Sequence, residues 1–141
     1  MINSLINGIA NKLNEVFANI TIYAEKVPQD FLTPSFYIKC LTHNDDLRLF
    51  DGKKKITKFD IAYFPTEGSL TVEKEINDIL AKLVDNMRVI EAEGHKIKGY
   101  EISTEKVDDV LHYFISYNLT LIKENENVNM EDLKERTDIN G

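Results

Sequence analysis

His43-Asn44-Asp45-Asp46 sets one imidazole and two carboxylates side by side, the donor types of a metal site. A metal needs three or four convergent ligands with outer-shell support. The two other histidines, His95 and His112, stand at no ligand-like spacing from this group. The run reads instead as a loop of turn-forming residues. Cys40 and His112 could form a nucleophile and base only if the fold brought them together. Cys40 alternates within an apolar segment and has no activating neighbour, so it reads as a small buried hydrophobe. Asp108 and Asp109 are adjacent carboxylates. In a strand they would point to opposite faces, whereas paired-carboxylate chemistry needs both on one side of a substrate. Six glycines are scattered along the chain and form no phosphate-cradling loop. No catalytic, metal-binding or cofactor-binding residue is therefore assigned, and no cofactor is expected. Lys53, Lys54 and Lys55 form the one basic cluster. It reads as a solvated hairpin tip that could touch an acidic partner.

Composition narrows the classes further. The chain has 141 residues, 43% hydrophobic and 29% charged, the make-up of a folded domain with one core. Its net charge of −7 argues against nucleic-acid or anionic-membrane binding, which need a basic face. Residues 124–141 hold six acids and two bases, a net −4, so this tail carries more than half of the charge. The expected organisation is one α+β domain over residues 1–123 and an acidic, mobile tail over 124–141. A single cysteine allows no intramolecular disulfide and fits a reducing compartment. The apolar residues near the N-terminus are spaced rather than continuous, which suits a helix and not a signal peptide. No run approaches the ~20 apolar residues of a membrane span.

The elements follow from periodicity. Ile2, Leu5, Ile6, Ile9, Leu13, Val16 and Phe17 predict an amphipathic helix over about 3–18. Gly8 interrupts it, either to admit a neighbouring backbone or as a tolerated defect. Ile20–Ala24 predicts a short strand. Pro28 and Pro34 stiffen the next segment and deliver Phe36 and Ile38 into a strand that runs to Leu41 and resumes, after the 43–46 interruption, at Leu47. Asp51-Gly52 marks a turn. Ile56–Phe64 is a strand with Phe59, Ile61 and Tyr63 on one face, and Pro65 ends it. Ser69 or Thr71 caps a second helix whose stripe is Val72, Ile76, Ile79, Leu80, Leu83 and Met87. Residues 88–92 and 96–103 read as a hairpin, and Val107–Ile122 as one long strand. The fold class is α+β, an antiparallel or mixed sheet with two main helices packed on one face. Core packing accounts for most of the tyrosines Tyr37, Tyr63, Tyr100, Tyr113 and Tyr117; one or two suit an interface.

Several of these segments resemble the tail terminator proteins of tailed phages, prophages and phage-tail-like bacteriocins. The likeness runs over most of residues 2–123. It rests on the first helix, on Gln29, Phe31 and Pro34-Ser35-Phe36, on the strand ending Tyr63-Phe64-Pro65, and on Val110–Phe114. Asp30 stands where a glycine is expected after the glutamine. The resemblance implies a structural protein and no enzyme. It implies a ring, typically a hexamer, on the head-proximal end of the tail tube, which stops polymerisation and joins the tail to neck or sheath. Its implied partners are other copies of itself, the tube protein, and sheath or neck proteins. Its implied location is the bacterial host cytoplasm during assembly and then the particle. The motif residues Gln29, Phe31, Pro34, Ser35, Phe36, Tyr63, Phe64 and Pro65 would serve structure or interface. Other readings stay open at this point: a different head–tail connector or neck protein, and a stand-alone adaptor or immunity module.

Overall fold

The computed structural model describes residues 2–24, 26–48 and 52–118, with side chains described for all of these but 43–48 and 52–56. The acidic tail at 124–141, the end of the last expected strand at 119–122 and Asp51 of the expected turn lie outside the described residues.

Helix α1 (Ile2–Val16) leads into strand β1 (Thr21–Tyr23), then β2 (Ser35–Arg48) and β3 (Gly52–Phe64). Helix α2 (Val72–Asn86) separates these from β4 (Val89–Ala92), β5 (His95–Val107) and β6 (Val110–Asn118). The strands form one sheet in the order β1-β2-β3-β6-β5-β4. β1 runs parallel to β2, and every other neighbouring pair is antiparallel. The fold is α+β with a mixed sheet, as periodicity predicts.

The register explains the core. Phe36 lies opposite Tyr63, and Tyr63 opposite Leu111; Ile38, Ile61 and Tyr113 form the next row, and Phe59 faces Ile115 in the one after. Side chains alternate across a strand, so these rows share a face. The helices cover that face with Leu5, Ile9 and Leu13 from α1 and Ile76 and Leu83 from α2, all buried. Rings of Phe17, Phe36 and Tyr63 pack in sequence, each pair tilted by 52°, with centroids 5.0 and 5.1 Å apart. Each such ring contributes roughly 1.5–3 kcal/mol by leaving water. The Tyr117 hydroxyl reaches this interior and donates to the Met87 carbonyl at 2.8 Å. Gly8 has a packing reason: a Cβ there would stand 2.4 Å from the Glu91 carbonyl oxygen, so helix α1 rests directly on β4. Gly94 and Glu93 take positive φ (79° and 53°) and close the β4–β5 hairpin.

Some expectations need correction. β2 is not interrupted at His43–Asp46; it pairs continuously with β3 from Ser35 to Arg48, with one bulge between Cys40 and Thr42. β3 begins at Gly52, so Lys53, Lys54 and Lys55 belong to the strand, opposite Leu47, Asp46 and Asp45. Val107–Ile122 is not one strand. Val107 faces Val110 in a two-residue hairpin. Asp108 and Asp109 form its turn with φ of 50° and 62°. Positive φ at both central residues is what a type I′ hairpin turn requires, and Asp tolerates it better than most residues. Thr71 occupies the N-cap position of α2, but its side chain makes no capping bond.

Candidate functional site

Pro65 ends β3 because it cannot donate to the sheet, and the chain must turn there to enter α2. The turn is held from the helix side. Glu75, one turn into α2, accepts from the Tyr63 hydroxyl at 2.5 Å, from the Thr66 amide at 2.8 Å and from the Thr66 hydroxyl at 3.1 Å. Partial burial pushes the Glu75 carboxyl up, but the hydrogen bonds from Tyr63, Thr66 and Ser69 outweigh it and hold it below the ordinary value. Burial, then the bond to Glu75 and its charge, push the Tyr63 phenol well above its usual range. A second loop braces the first: the Glu67 amide donates to Thr33 Oγ1 at 3.2 Å, and the Leu32 amide donates to the Tyr23 hydroxyl at 3.0 Å.

Together with the β5–β6 turn, these loops enclose a groove of about 640 Å³. Phe31 and Phe64 form its floor, ring centroids 5.0 Å apart. Pro65, Val72 and Val110 extend the apolar lining. Asp30, Glu67, Asp108 and Asp109 supply four carboxylates, and among the described residues no lysine or arginine lines the groove. Exposed leucines flank it: Leu32, 63% exposed, sits between Phe31 and Thr33, and Leu70, fully exposed, lies on the Pro65 loop. Apolar residues left in water beside a charged rim mark a contact surface more readily than a reaction centre. A slightly larger hollow of about 680 Å³ between α1 and β4 is lined by Lys12, Lys96, Glu15 and Glu91 in balance and offers no such bias.

The motif residues divide between two places. Gln29, Phe31, Phe64 and Pro65 line the groove. Phe36, Ser35 and Tyr63 are buried in the sheet immediately behind it. Pro34 joins the two sets through a cis Thr33–Pro34 bond. Asp30 lies in a turn without positive φ, so no glycine is required there. The backbone of Lys53–Lys55 sits at the opposite end of β3.

The candidate chemical groups are not brought together. Cys40 faces the helix side opposite Phe59, whereas His112 lies opposite Ala62 on the other face. Burial pushes the Cys40 thiol up, away from nucleophilic use. His112 Nδ1 instead lies 2.8 Å from Asp60 Oδ2. Its ring stacks on Phe114, and Lys58 Nζ lies 5.6 Å from the centroid of the Phe114 ring. This pairing was not legible in the sequence, because Asp60 and His112 meet only through the β3–β6 register. Among the described residues no three His, Cys, Asp or Glu side chains form a metal cluster, and no helix is long and apolar enough to cross a membrane. Tyr63, Tyr113 and Tyr117 are core residues, while Tyr37 and Tyr100 are part-exposed on the sheet face away from the helices.

No curated protein matches the chain. A family model described as "Phage tail terminator protein" matches residues 4–129, from the first helix past the last described strand. By that match the chain belongs to the phage tail terminator family, a family of tail structural proteins.

Proposed function

We propose that this protein caps the head-proximal end of a phage or phage-like tail tube as a ring, stops tube growth there, and joins the tail to neck or sheath. Family membership over residues 4–129 is the observation that carries this reading. The groove is consistent with it, because braced loops around an apolar lining with a carboxylate rim suit contact with another protein surface. Capping is then a matter of shape. One face complements the last ring of tube subunits, and the other lacks the site for a further ring. A durable contact of this kind buries at least about 1,000 Å², more than the groove alone offers, so the tube contact extends over neighbouring surface.

Purified protein mixed with tube protein tests the proposal by electron microscopy. Rings seated on tube ends, and shorter, uniform tubes, are expected. Binding along tube walls, or tubes of unaltered length distribution, would refute it.

A further inference from the structure

Both helices pack on one face of the sheet, the face of Phe36, Ile61, Tyr113 and Ile115. Among the described residues no helix covers the other face. Its middle is aromatic: Tyr37, Phe114 and Tyr100 point there, each part-exposed. Its charges are sorted along the strands. The groove end carries Asp30, Glu67, Asp108 and Asp109 and no base among the described residues. Across the middle the charges are mixed, with Lys39 opposite Asp60 and Glu105 opposite His112. Beyond the middle stand two bases, Lys58 on β3 and Lys98 on β5, the latter exposed and alternating with buried Ile97 and Gly99. Six residue steps of β3 separate Lys58 from Phe64 of the groove floor, about 20 Å at the usual rise per residue.

A surface with an apolar middle and opposite charges at its two ends is complementary to itself turned end for end. We infer that two copies of this chain pair face to face through the open side of the sheet, strands antiparallel, with the groove end of each on the lysine end of the other. The contact is isologous, the same patch used twice about a two-fold axis. With that axis lying across the strands, each strand faces its own counterpart running the opposite way. Lys58 of β3 then lies over the loop that follows β3 and carries Glu67. Lys98 of β5 lies over the turn that follows β5 and carries Asp108 and Asp109. Phe114 and Tyr37 meet their counterparts near the axis and leave water. Four strands about 4.8 Å apart and seven residues long make a face roughly 20 Å on a side. Covering it on both copies, groove loops included, buries on the order of 1,000 Å² in total, the size of a weak, reversible pair. The pair covers the groove, so pairing and tube-end contact exclude each other. That consequence rests on the proposed tube contact; the pair itself does not.

The test uses the intact protein, half of it labelled with ¹⁵N, followed by sedimentation over a range of concentrations. A carbodiimide joins lysine to carboxylate only where the two touch, and mass spectrometry identifies the linked peptides. A monomer–dimer equilibrium is expected, with mixed-isotope links from Lys58 to Glu67 and from Lys98 to Asp108 or Asp109. The K58E/K98E variant should lose these links and pair roughly tenfold or more weakly, because like charges then face each other. An E67K/D108K/D109K variant should also fail to pair with itself, yet an equal mixture of the two should form mixed dimers. Recovery in the mixture shows that both variants are folded. The inference is overturned if the protein stays monomeric at the highest concentration reached, if the links join other segments, or if K58E/K98E pairs as well as the wild type. Saturating tube ends should abolish the links; links that persist on tube ends would overturn the exclusion. Capped tubes from a protein that never forms the links would sink the pair and leave the capping function standing. The links without capped tubes would do the reverse.

Discussion

The Tyr63 hydroxyl donates to Glu75 Oε2 at 2.5 Å, tying the end of β3 to the first turn of α2 across the Pro65 loop. The same oxygen holds the Thr66 amide and hydroxyl, so one carboxylate fixes the loop that forms a wall of the groove. The lowered Glu75 carboxyl makes this bracing pH-dependent. A group whose folded pKa lies below its unfolded value stabilises the fold above the unfolded value, here 4.5. It loses that contribution as pH falls through the folded value.

Glu75→Gln should therefore be less stable than the wild type by roughly 1 kcal/mol at neutral pH, the scale of hydrogen bonds lost to a part-exposed charged acceptor. The deficit should shrink below about pH 4.5 as the wild-type carboxylate protonates. Thermal melts from pH 3 to 7 measure both; a deficit that stays constant down to pH 3 would show that the charge of Glu75 contributes nothing.

Phe36 and Phe31 belong to one motif but separate by role. Phe36 is fully buried between Phe17 and Tyr63, and Phe36→Ala should cost roughly 3–5 kcal/mol in urea unfolding. Phe31 is part-exposed on Phe64 in the groove floor. Phe31→Ala should cost less than half as much and should reduce binding to tube ends in a folded protein. Equal losses of stability for the two variants would show that the groove floor is simply core.

Gly8→Ala runs against helix propensity. Alanine is favoured over glycine in a helix by about 1 kcal/mol. The added Cβ would meet the Glu91 carbonyl oxygen at 2.4 Å, a backbone atom that cannot rotate away. Net destabilisation of about 1–3 kcal/mol is expected, since overpacking forces α1 off β4. A higher melting temperature for Gly8→Ala would show that the helix can shift freely.

These particulars show how far the sequence reaches. The α1 stripe, the Pro65 stop and the core face of β3 were legible because burial on one face writes a period into the residues. The 43–46 stretch was not legible as strand. Its residues are polar turn formers, and only the long-range pairing of His43–Asp46 with Lys54–Thr57 makes them a strand. The β5–β6 turn was hidden because Val107 and Val110 extend the apolar pattern on both sides, and Asp-Asp lacks the glycine that usually marks a type I′ turn. Gln29, Phe31, Phe64 and Pro65 were visible as motif residues. That they share a groove with Asp108 and Asp109 follows only from pairing across β2, β3, β6 and β5.

That turn carries the last prediction. Asp108 and Asp109 hold φ of 50° and 62°, where Asn-Gly is the preferred pair. Two acids at these positions leave stability unused, a pattern that proteins show where function constrains the residue. D108N/D109G should raise stability by about 0.5–2 kcal/mol while weakening binding to tube ends, because it removes two of the four groove carboxylates. D108N/D109N separates the two effects, since asparagine tolerates positive φ but carries no charge. It should match the D108N/D109G loss of tube-end binding with a smaller gain in melting temperature. If both variants gain stability and bind tube ends as tightly as the wild type, the carboxylates of the turn have no part in the tube contact.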